Sequence, residues 1–222
     1  MIKVENIETY GFRTAIRAMR NPHDSWDKSD SGYIASGAHY ENVDYVVGEK
    51  DLELMRKLVR AGAEHRTFMR MIMVSMDITA PLLWWKEMDR YTVGKSQVSC
   101  STMHKIAAKE FELDDFSHEH LRYEYSDGDG SYDVATWAET SLFDTIEILN
   151  RARDLYLKSR DKKHWWLMIQ LLPSSYNQKR TICMSYETVF KIMKERTGHK
   201  LDEWRDLCEI LRGLPYVKEL TE

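Results

Sequence analysis

Along the first hundred residues the apolar and polar positions change period several times, and each change predicts an element. Residues 1–8, opening Met1-Ile2-Lys3-Val4-Glu5-Asn6, read as an edge strand. Gly11 to Met19 carries Ala15, Ala18 and Met19 and reads as a short helix. Residues 21–45 then lose all period. Asn21-Pro22, Asp24-Ser25, Ser29-Asp30-Ser31-Gly32 and Gly37 make them a polar loop region, long enough to be a functional flap or an insertion. From Asp51 to Ala61 a helical face of Leu54, Met55, Leu58 and Val59 returns, and Gly62 stops it.

Next, Phe68, Ile72, Val74, Met76 and Ile78 alternate with Met69, Met71, Met73, Ser75 and Asp77, which predicts a strand whose wetter face ends at Ser75 and Asp77. Thr79 is placed to cap a helix with Pro81 in its first turn, carrying Leu82, Leu83, Trp84, Trp85 and Met88. A loop crowded with hydroxyl and thiol groups follows, from Ser96 to Thr102. Asp127-Gly128-Asp129-Gly130-Ser131 is the clearest break in the chain, and after it Ala138, Leu142, Ile146, Leu149, Ala152 and Tyr156 trace one face of a long helix. Trp165 to Leu172 reads as a buried helix ended by Pro173. Arg180 to Met184 reads as a strand or the approach to a helix, and helices are predicted about Tyr186–Arg196 and Leu201–Leu211. The fold class is α/β (α+β): a helix-rich single domain over 1–222 with a mixed sheet and a polar flap about 21–45.

Composition narrows the class. With 43% apolar and 31% charged residues in 222, the chain can bury a real core. A formal net charge of −4 argues against a general nucleic-acid binder and leaves room for local basic pockets suited to a small anion. Cys100, Cys183 and Cys208 are few, odd in number and far apart, without a C-x-x-C pair, so neither a structural zinc site nor a disulfide framework is indicated. The beginning of the chain lacks the apolar core of a signal peptide, and no apolar run approaches the roughly 20 residues of a membrane helix. A cytoplasmic protein with no membrane partner is the expectation.

Two clusters carry candidate chemistry. Gly62-Ala63-Glu64-His65-Arg66-Thr67 puts a His and an Arg in one turn, which suits a phosphate or the edge of an isoalloxazine ring, or is simply a solvated turn. Arg90 and Lys95 bracket Tyr91-Thr92-Val93-Gly94, and Ser96, Ser99, Ser101 and Thr102 follow, with His104-Lys105 adding positive charge. Cations beside hydroxyls and backbone N–H groups suit an anion, whereas Ser-rich loops are also common without function. Of Trp84-Trp85 and Trp165-Trp166, adjacent helical positions point about 100° apart, so at most one of each pair can face a ligand. His118-Glu119-His120 lacks the H-E-x-x-H spacing, and no metal site is expected. No G-x-G-x-x-G, Walker lysine or G-x-S-x-G occurs.

The order of these segments resembles the flavin-dependent thymidylate synthases. The likeness runs from Ala15-Ile16-Arg17-Ala18-Met19-Arg20, through the Asp51–Ala61 helix, the His65 turn, the alternating run, Ala80-Pro81 and the aromatic helix, to Leu171-Leu172-Pro173 and Arg196 followed by Trp204-Arg205-Asp206-Leu207. The family signature, R-H-R with Ser after seven residues and Arg two further on, is altered. Counting from Arg90 puts Cys100 at the serine position and Thr102 at the arginine. Counting from Asp89 keeps Ser99 and puts Ser101 at the arginine.

The resemblance implies a homotetramer that binds FAD with dUMP beside it and makes dTMP, with methylenetetrahydrofolate giving the carbon and NADPH the reducing equivalents. By position, His65, Arg66, Thr67 and Arg90 would hold FAD. Ser99 or Cys100 would sit against the pyrimidine as the catalytic position, and Ser101 and Arg196 would meet the nucleotide. Lys95 is our own substitute for the missing phosphate-binding Arg, a point charge in place of a fork. The altered signature leaves two other readings open. One is a non-catalytic flavin- or nucleotide-binding relative, and the other is a different flavin-dependent modification of a uracil nucleotide.

Overall fold

The computed structural model describes residues 2–36, 42–121 and 131–221. The break at Asp127-Gly128-Asp129-Gly130 and the Gly37 part of the expected flap lie outside them. Strand β1 (Lys3–Tyr10) leads into α1 (Phe12–Arg20), a hairpin of β2 (Gly32–Ser36) and β3 (Asn42–Val46), and α2 (Glu49–Ala61). Then come β4 (Met73–Pro81), α3 (Leu82–Met88), β5 (Lys95–Ser99) and the single turn α4 (Thr102–Lys105). Helices α5 (Ser131–Ser159) and α6 (Lys162–Leu171) precede β6 (Asn177–Ser185), α7 (Tyr186–Arg196), α8 (Asp202–Arg212) and α9 (Val217–Thr221). The result is a helix-rich α+β chain with a four-stranded sheet of order β1-β4-β6-β5, so β1 and β5 are its edges.

The described residues group into two compact units. One comprises Met1–Lys3, Ile78–Arg90 and Val98–Arg180; the other comprises Val4–Asp77, Tyr91–Gln97 and Thr181–Glu222. In the first, α5 and α6 pack Leu142, Leu149, Ala152 and Met168 against Ile106, Phe111 and Phe116. The rings of Phe111, Phe116 and Tyr176 meet at 5.7–6.3 Å, and Phe116 forms an antiparallel bridge with Tyr176. The predicted α5 face is the observed one. Helix α6 buries only Met168 and leaves Trp166 and Leu167 exposed, so it is not the buried helix its apolar run implied.

In the second unit, α1 buries Phe12, Ala15, Ile16 and Met19. The Phe12 ring stands edge-on to Tyr186 at 5.7 Å and to Tyr216 at 5.3 Å. Helices α7 and α8 contribute Val189, Ile192, Trp204, Leu207 and Leu211, all fully or nearly fully buried. The alternation predicted from Phe68 holds only from Met73 onward. Thr67–Arg70 is a 3-10 turn, which lets Phe68 and Met69 both turn inward, as alternation in a strand would forbid.

Two further expectations are corrected. Thr79 does not cap a helix, because β4 continues through Pro81 and Pro81 itself stands at the N-cap of α3. The first N–H groups of that helix are satisfied from outside: Leu82 donates to the Tyr176 carbonyl and Leu83 to the Ser174 carbonyl, each at 2.9 Å. The polar stretch 21–45 is not loop throughout. Asn21–His23 and Trp26–Lys28 are 3-10 turns, and β2 pairs antiparallel with β3, Tyr33 opposite Tyr45.

That stretch is polar because it clamps the start of α2. Asp30 accepts from the backbone N–H of Lys50 (2.9 Å) and Asp51 (3.2 Å), capping the helix from twenty residues away. Asp51, fully buried, accepts from Arg20 Nε at 2.6 Å and from the Ser29 and Ser31 hydroxyls at 2.5 and 2.6 Å. Burial alone would push the Asp51 carboxyl up. The three hydrogen bonds and the Arg20 charge outweigh it and hold the group below its ordinary value.

Candidate functional site

The serine-rich segment is a strand and a cap, not a loop. Lys95–Ser99 forms the exposed edge β5, and the Cys100 N–H donates to the Lys179 carbonyl of β6 at 2.9 Å. The Ser101 hydroxyl caps α4, accepting from the His104 N–H (3.3 Å) and lying 2.6 Å from His104 Nδ1. Ser99 and Cys100 are therefore exposed side chains on a backbone fixed by its neighbour strand.

Behind this segment, in the same compact unit, stands a group that sequence patterns did not single out. Gln178 donates from Nε2 to the Cys100 carbonyl (3.2 Å) and to Thr102 Oγ1 (2.9 Å), and its Oε1 accepts from Arg180 Nε at 2.9 Å. Arg180 also donates from Nη1 to Asp89 Oδ1 at 2.8 Å, and its guanidinium lies 4.3 Å over the Trp85 ring. Trp85 Nε1 in turn donates to the Gln178 carbonyl at 2.9 Å. Cation–π contact, ion pair and amide thus lock one guanidinium beside the Ser99–Thr102 backbone. The sequence trace of this is an Arg at the start of the Arg180–Met184 segment; its Asp89 partner lies about ninety residues away. Arg90, by contrast, is exposed at the turn after α3, its N–H bonded to the Glu87 carbonyl.

In the other unit, Gly62 at φ +110° ends α2 and the His65 N–H returns to its carbonyl at 3.1 Å. His65 and Thr67 open on a cavity of 720 Å³ walled mainly by apolar groups, among them Met19 of α1, Leu54 and Leu58 of α2, and Phe68 of the 3-10 turn. Arg66 turns the other way. Its Nε and Nη2 reach the Glu187 carboxylate at 3.0 and 2.9 Å, beside a cavity that also holds Arg60, Lys191, Lys194 and Arg212. Glu187 sits in the first turn of α7, where a negative charge is favourable.

Lys95 donates to Gln97 Oε1 at 3.1 Å. The neighbouring Gly94, at φ +68°, is there for packing: an added Cβ would stand 2.7 Å from Ser185 Oγ and 2.8 Å from Thr188 Oγ1. Its carbonyl accepts the Ser185 N–H at 2.8 Å, so the close approach is to the start of α7. Arg196 lies over the Trp204 ring at 4.7 Å and donates from Nε to the Tyr91 hydroxyl at 2.9 Å, which itself donates to Glu195 at 2.8 Å. Burial pushes the Tyr91 phenol up and the Glu195 carboxylate adds to that, against the opposing hydrogen bond and charge of Arg196, so it stays a neutral donor near neutral pH.

The structure thus gathers Ser99, Cys100 and Ser101 with Gln178 and Arg180, sets His65 and Thr67 on one cavity, and sends Arg66, Lys95 and Arg196 to separate partners. Of the tryptophans, Trp84 and Trp85 are buried, Trp165 packs on the α5–α6 core, and Trp166 is exposed. Three of the four thus pack and Trp166 stands exposed, within the limit of one ligand-facing ring per pair.

No protein-family model matches the sequence, and no curated protein matches it. Solved structures do. The flavin-dependent thymidylate synthase ThyX from Helicobacter pylori, complexed with FAD and dUMP, superposes with a TM-score of 0.65 and 18% identity, covering 98% of this chain and 97% of that one. A second structure of the same enzyme with FAD and dUMP matches at TM-score 0.65 and 18% identity, over 99% and 100%. The UMP/dUMP methylase PolB from Streptomyces cacaoi, bound with 5-Br dUMP, matches at TM-score 0.60 and 16% identity, over 96% and 88%. The chain has a ThyX-like fold.

Proposed function

We propose that this chain is an FAD-dependent enzyme of pyrimidine-nucleotide biosynthesis, a methyltransferase that converts dUMP to dTMP with methylenetetrahydrofolate and NADPH. The observation that carries the reading is the end-to-end match of fold, at 98% and 97% coverage, to a thymidylate synthase that binds FAD and dUMP. The overall conversion balances: the transferred methylene is reduced to a methyl group by a hydride from NADPH and a proton, leaving tetrahydrofolate and NADP.

The residues present suit the cofactor. A cavity of 720 Å³ with apolar walls and His65 and Thr67 at its edge has the size and polarity of a site for a ring system. Arg66, which turns to the other side beside Glu187, and Arg90 are the cations proposed for its phosphates. When bound, FAD supplies the redox chemistry, and the protein's part is positioning and electrostatics. Ser99 or Cys100 orients the pyrimidine from a backbone that Gln178 and Lys179 hold still. Lys95, Ser101 and Arg196 are proposed for the nucleotide, with Arg196 held ready by the Trp204 ring.

Assembly into a homotetramer is part of the same proposal. Val134, Trp137, Ile148 and Leu155 on α5 and Trp166 and Leu167 on α6 are exposed apolar side chains of one unit, available to an interface. A cytoplasmic setting is part of the proposal; among the described residues no helix is long and apolar enough to cross a membrane.

Two observations favour a second reading. Asp89, where one register expects the first Arg of the signature, is paired with Arg180, and PolB, named a UMP/dUMP methylase, shares the fold. A different uracil nucleotide as substrate fits both. The absorption spectrum of the purified protein after incubation with FAD tests the shared core of these readings. A bound flavin spectrum is expected, whereas a colourless protein that takes up no FAD would leave only a non-flavin relative.

A further inference from the structure

Helix α1 buries Phe12, Ala15, Ile16 and Met19 and turns Arg13, Arg17 and Arg20 to a second face, at the four- and three-residue spacings that align side chains along a helix. That face is one wall of a cavity of 650 Å³, completed by Trp26, Ser29 and Tyr45 from the turn and hairpin that follow. Among the described residues that line it, none is acidic. The size falls in the range of small-molecule sites, roughly 300–1,000 Å³.

Its floor is rigid. Arg20 is nearly buried, held by Asp51 at 2.6 Å and by the Ser25 carbonyl at 3.2 Å, and Ser29 is tied to the same carboxylate. The Arg20 charge is therefore balanced within the protein. Arg13 and Arg17 are exposed, and neither lies against a carboxylate among the described ion pairs. The Arg13 guanidinium stands 5.8 Å from the Tyr33 ring, which meets Tyr45 edge-on at 5.3 Å. Trp26, which lines the same cavity, is half exposed, and its indole is fixed by donation from Nε1 to Asn21 Oδ1 at 2.9 Å. Two guanidiniums without a carboxylate among the described ion pairs, in one cleft with a fixed indole, suit a phosphate joined to a planar heterocycle.

We propose that the cleft between the outer face of α1 and the Trp26 and Tyr45 side chains binds a nucleotide, its phosphate on Arg13 and Arg17 and its base against Trp26. The cleft lies within one compact unit and shares no residue with those proposed for FAD and dUMP, so it is a second site, and either proposal can fail alone. Tyr45 contributes a neutral hydroxyl at its edge: burial pushes the phenol up, against a hydrogen bond with Ser31 that lowers it.

Calorimetric titration of the full chain with AMP, CMP, adenosine and inorganic phosphate tests this. AMP or CMP should bind at least about tenfold more tightly than phosphate or adenosine, a difference of about 1.4 kcal/mol. Arg13→Gln with Arg17→Gln should weaken nucleotide and phosphate alike by about tenfold or more. Trp26→Ala should weaken the nucleotides and leave phosphate unchanged. His65→Ala, in the other cavity, should keep wild-type nucleotide affinity, and FAD uptake should persist in the double Arg variant. Because both arginines are exposed, melting temperatures should stay near wild type. Nucleotides that bind no better than phosphate, or a double Arg variant that binds them as wild type does, would overturn the proposal.

Discussion

Arg66 and Glu187 are joined by three hydrogen bonds, Nε to the two carboxylate oxygens at 3.0 and 3.3 Å and Nη2 at 2.9 Å, with each side chain about a quarter exposed. The guanidinium proposed to meet the cofactor is thus already positioned by a carboxylate from α7. Such a partly exposed pair contributes about 1 kcal/mol or less to stability, so its removal should show in binding more than in folding. Arg66→Ala should weaken FAD at least about tenfold, the loss of one charge-assisted contact. Glu187→Gln keeps the cation and removes its competitor, so FAD affinity should hold or rise. Equal losses in both variants, matched by equal falls in melting temperature, would make the pair structural only. Arg90→Ala is expected to weaken FAD as Arg66→Ala does.

Arg180 anchors the Ser99–Thr102 backbone through Gln178 while stacking on Trp85. Arg180→Lys keeps the charge but not the plane, so the ion pair to Asp89 can survive while the stack and the Gln178 contact cannot. Turnover with dUMP should fall about tenfold or more in Arg180→Lys while FAD affinity stays within about twofold. Unchanged turnover would show that this network does not position the substrate segment.

Much of the fold is legible in the sequence because periodicity reports burial locally. The α5 face through Leu142, Leu149 and Ala152, the α2 helix ended by Gly62, and the edge strand β1 all follow from spacing alone. Failures came where the partner is distant. Ser29-Asp30-Ser31 reads as a turn, yet it caps and clamps α2 from twenty residues off, and Arg180 meets Asp89 across the whole middle of the chain. The serines after Lys95 read as loop because an exposed edge strand has no buried face to impose alternation. Thr79 obeys a capping rule that a continuing strand overrides.

Asp51 sets the acid limit of the α1–α2 region. Its carboxyl is held below the ordinary value of 3.8 by Ser29, Ser31 and Arg20, against the opposing push of burial. A depressed folded-state value contributes stability that is present above 3.8 and is lost as pH falls through the folded value. Denaturant unfolding should therefore show wild type losing stability below about pH 4, and Asp51→Asn losing less over that window. Near neutrality Asp51→Asn should cost about 3–5 kcal/mol, since it leaves Arg20 buried beside a neutral partner. Parallel pH profiles for the two proteins would contradict the assignment.

Ser99 and Cys100 are both exposed and adjacent, and the two signature registers differ on which meets the pyrimidine. Ser99→Ala should slow dUMP-dependent oxidation of reduced FAD more than Cys100→Ala does, with melting temperatures unchanged in both. Stopped-flow absorbance decides between them, and a larger loss in Cys100→Ala would select the register counted from Arg90.

The central claim is chemical, and product formation tests it most directly. Purified protein with FAD, NADPH, methylenetetrahydrofolate and dUMP should yield dTMP, with tetrahydrofolate formed in equal amount and none of either without dUMP. Absence of dTMP, together with flavin oxidation that ignores dUMP, would contradict the synthase reading.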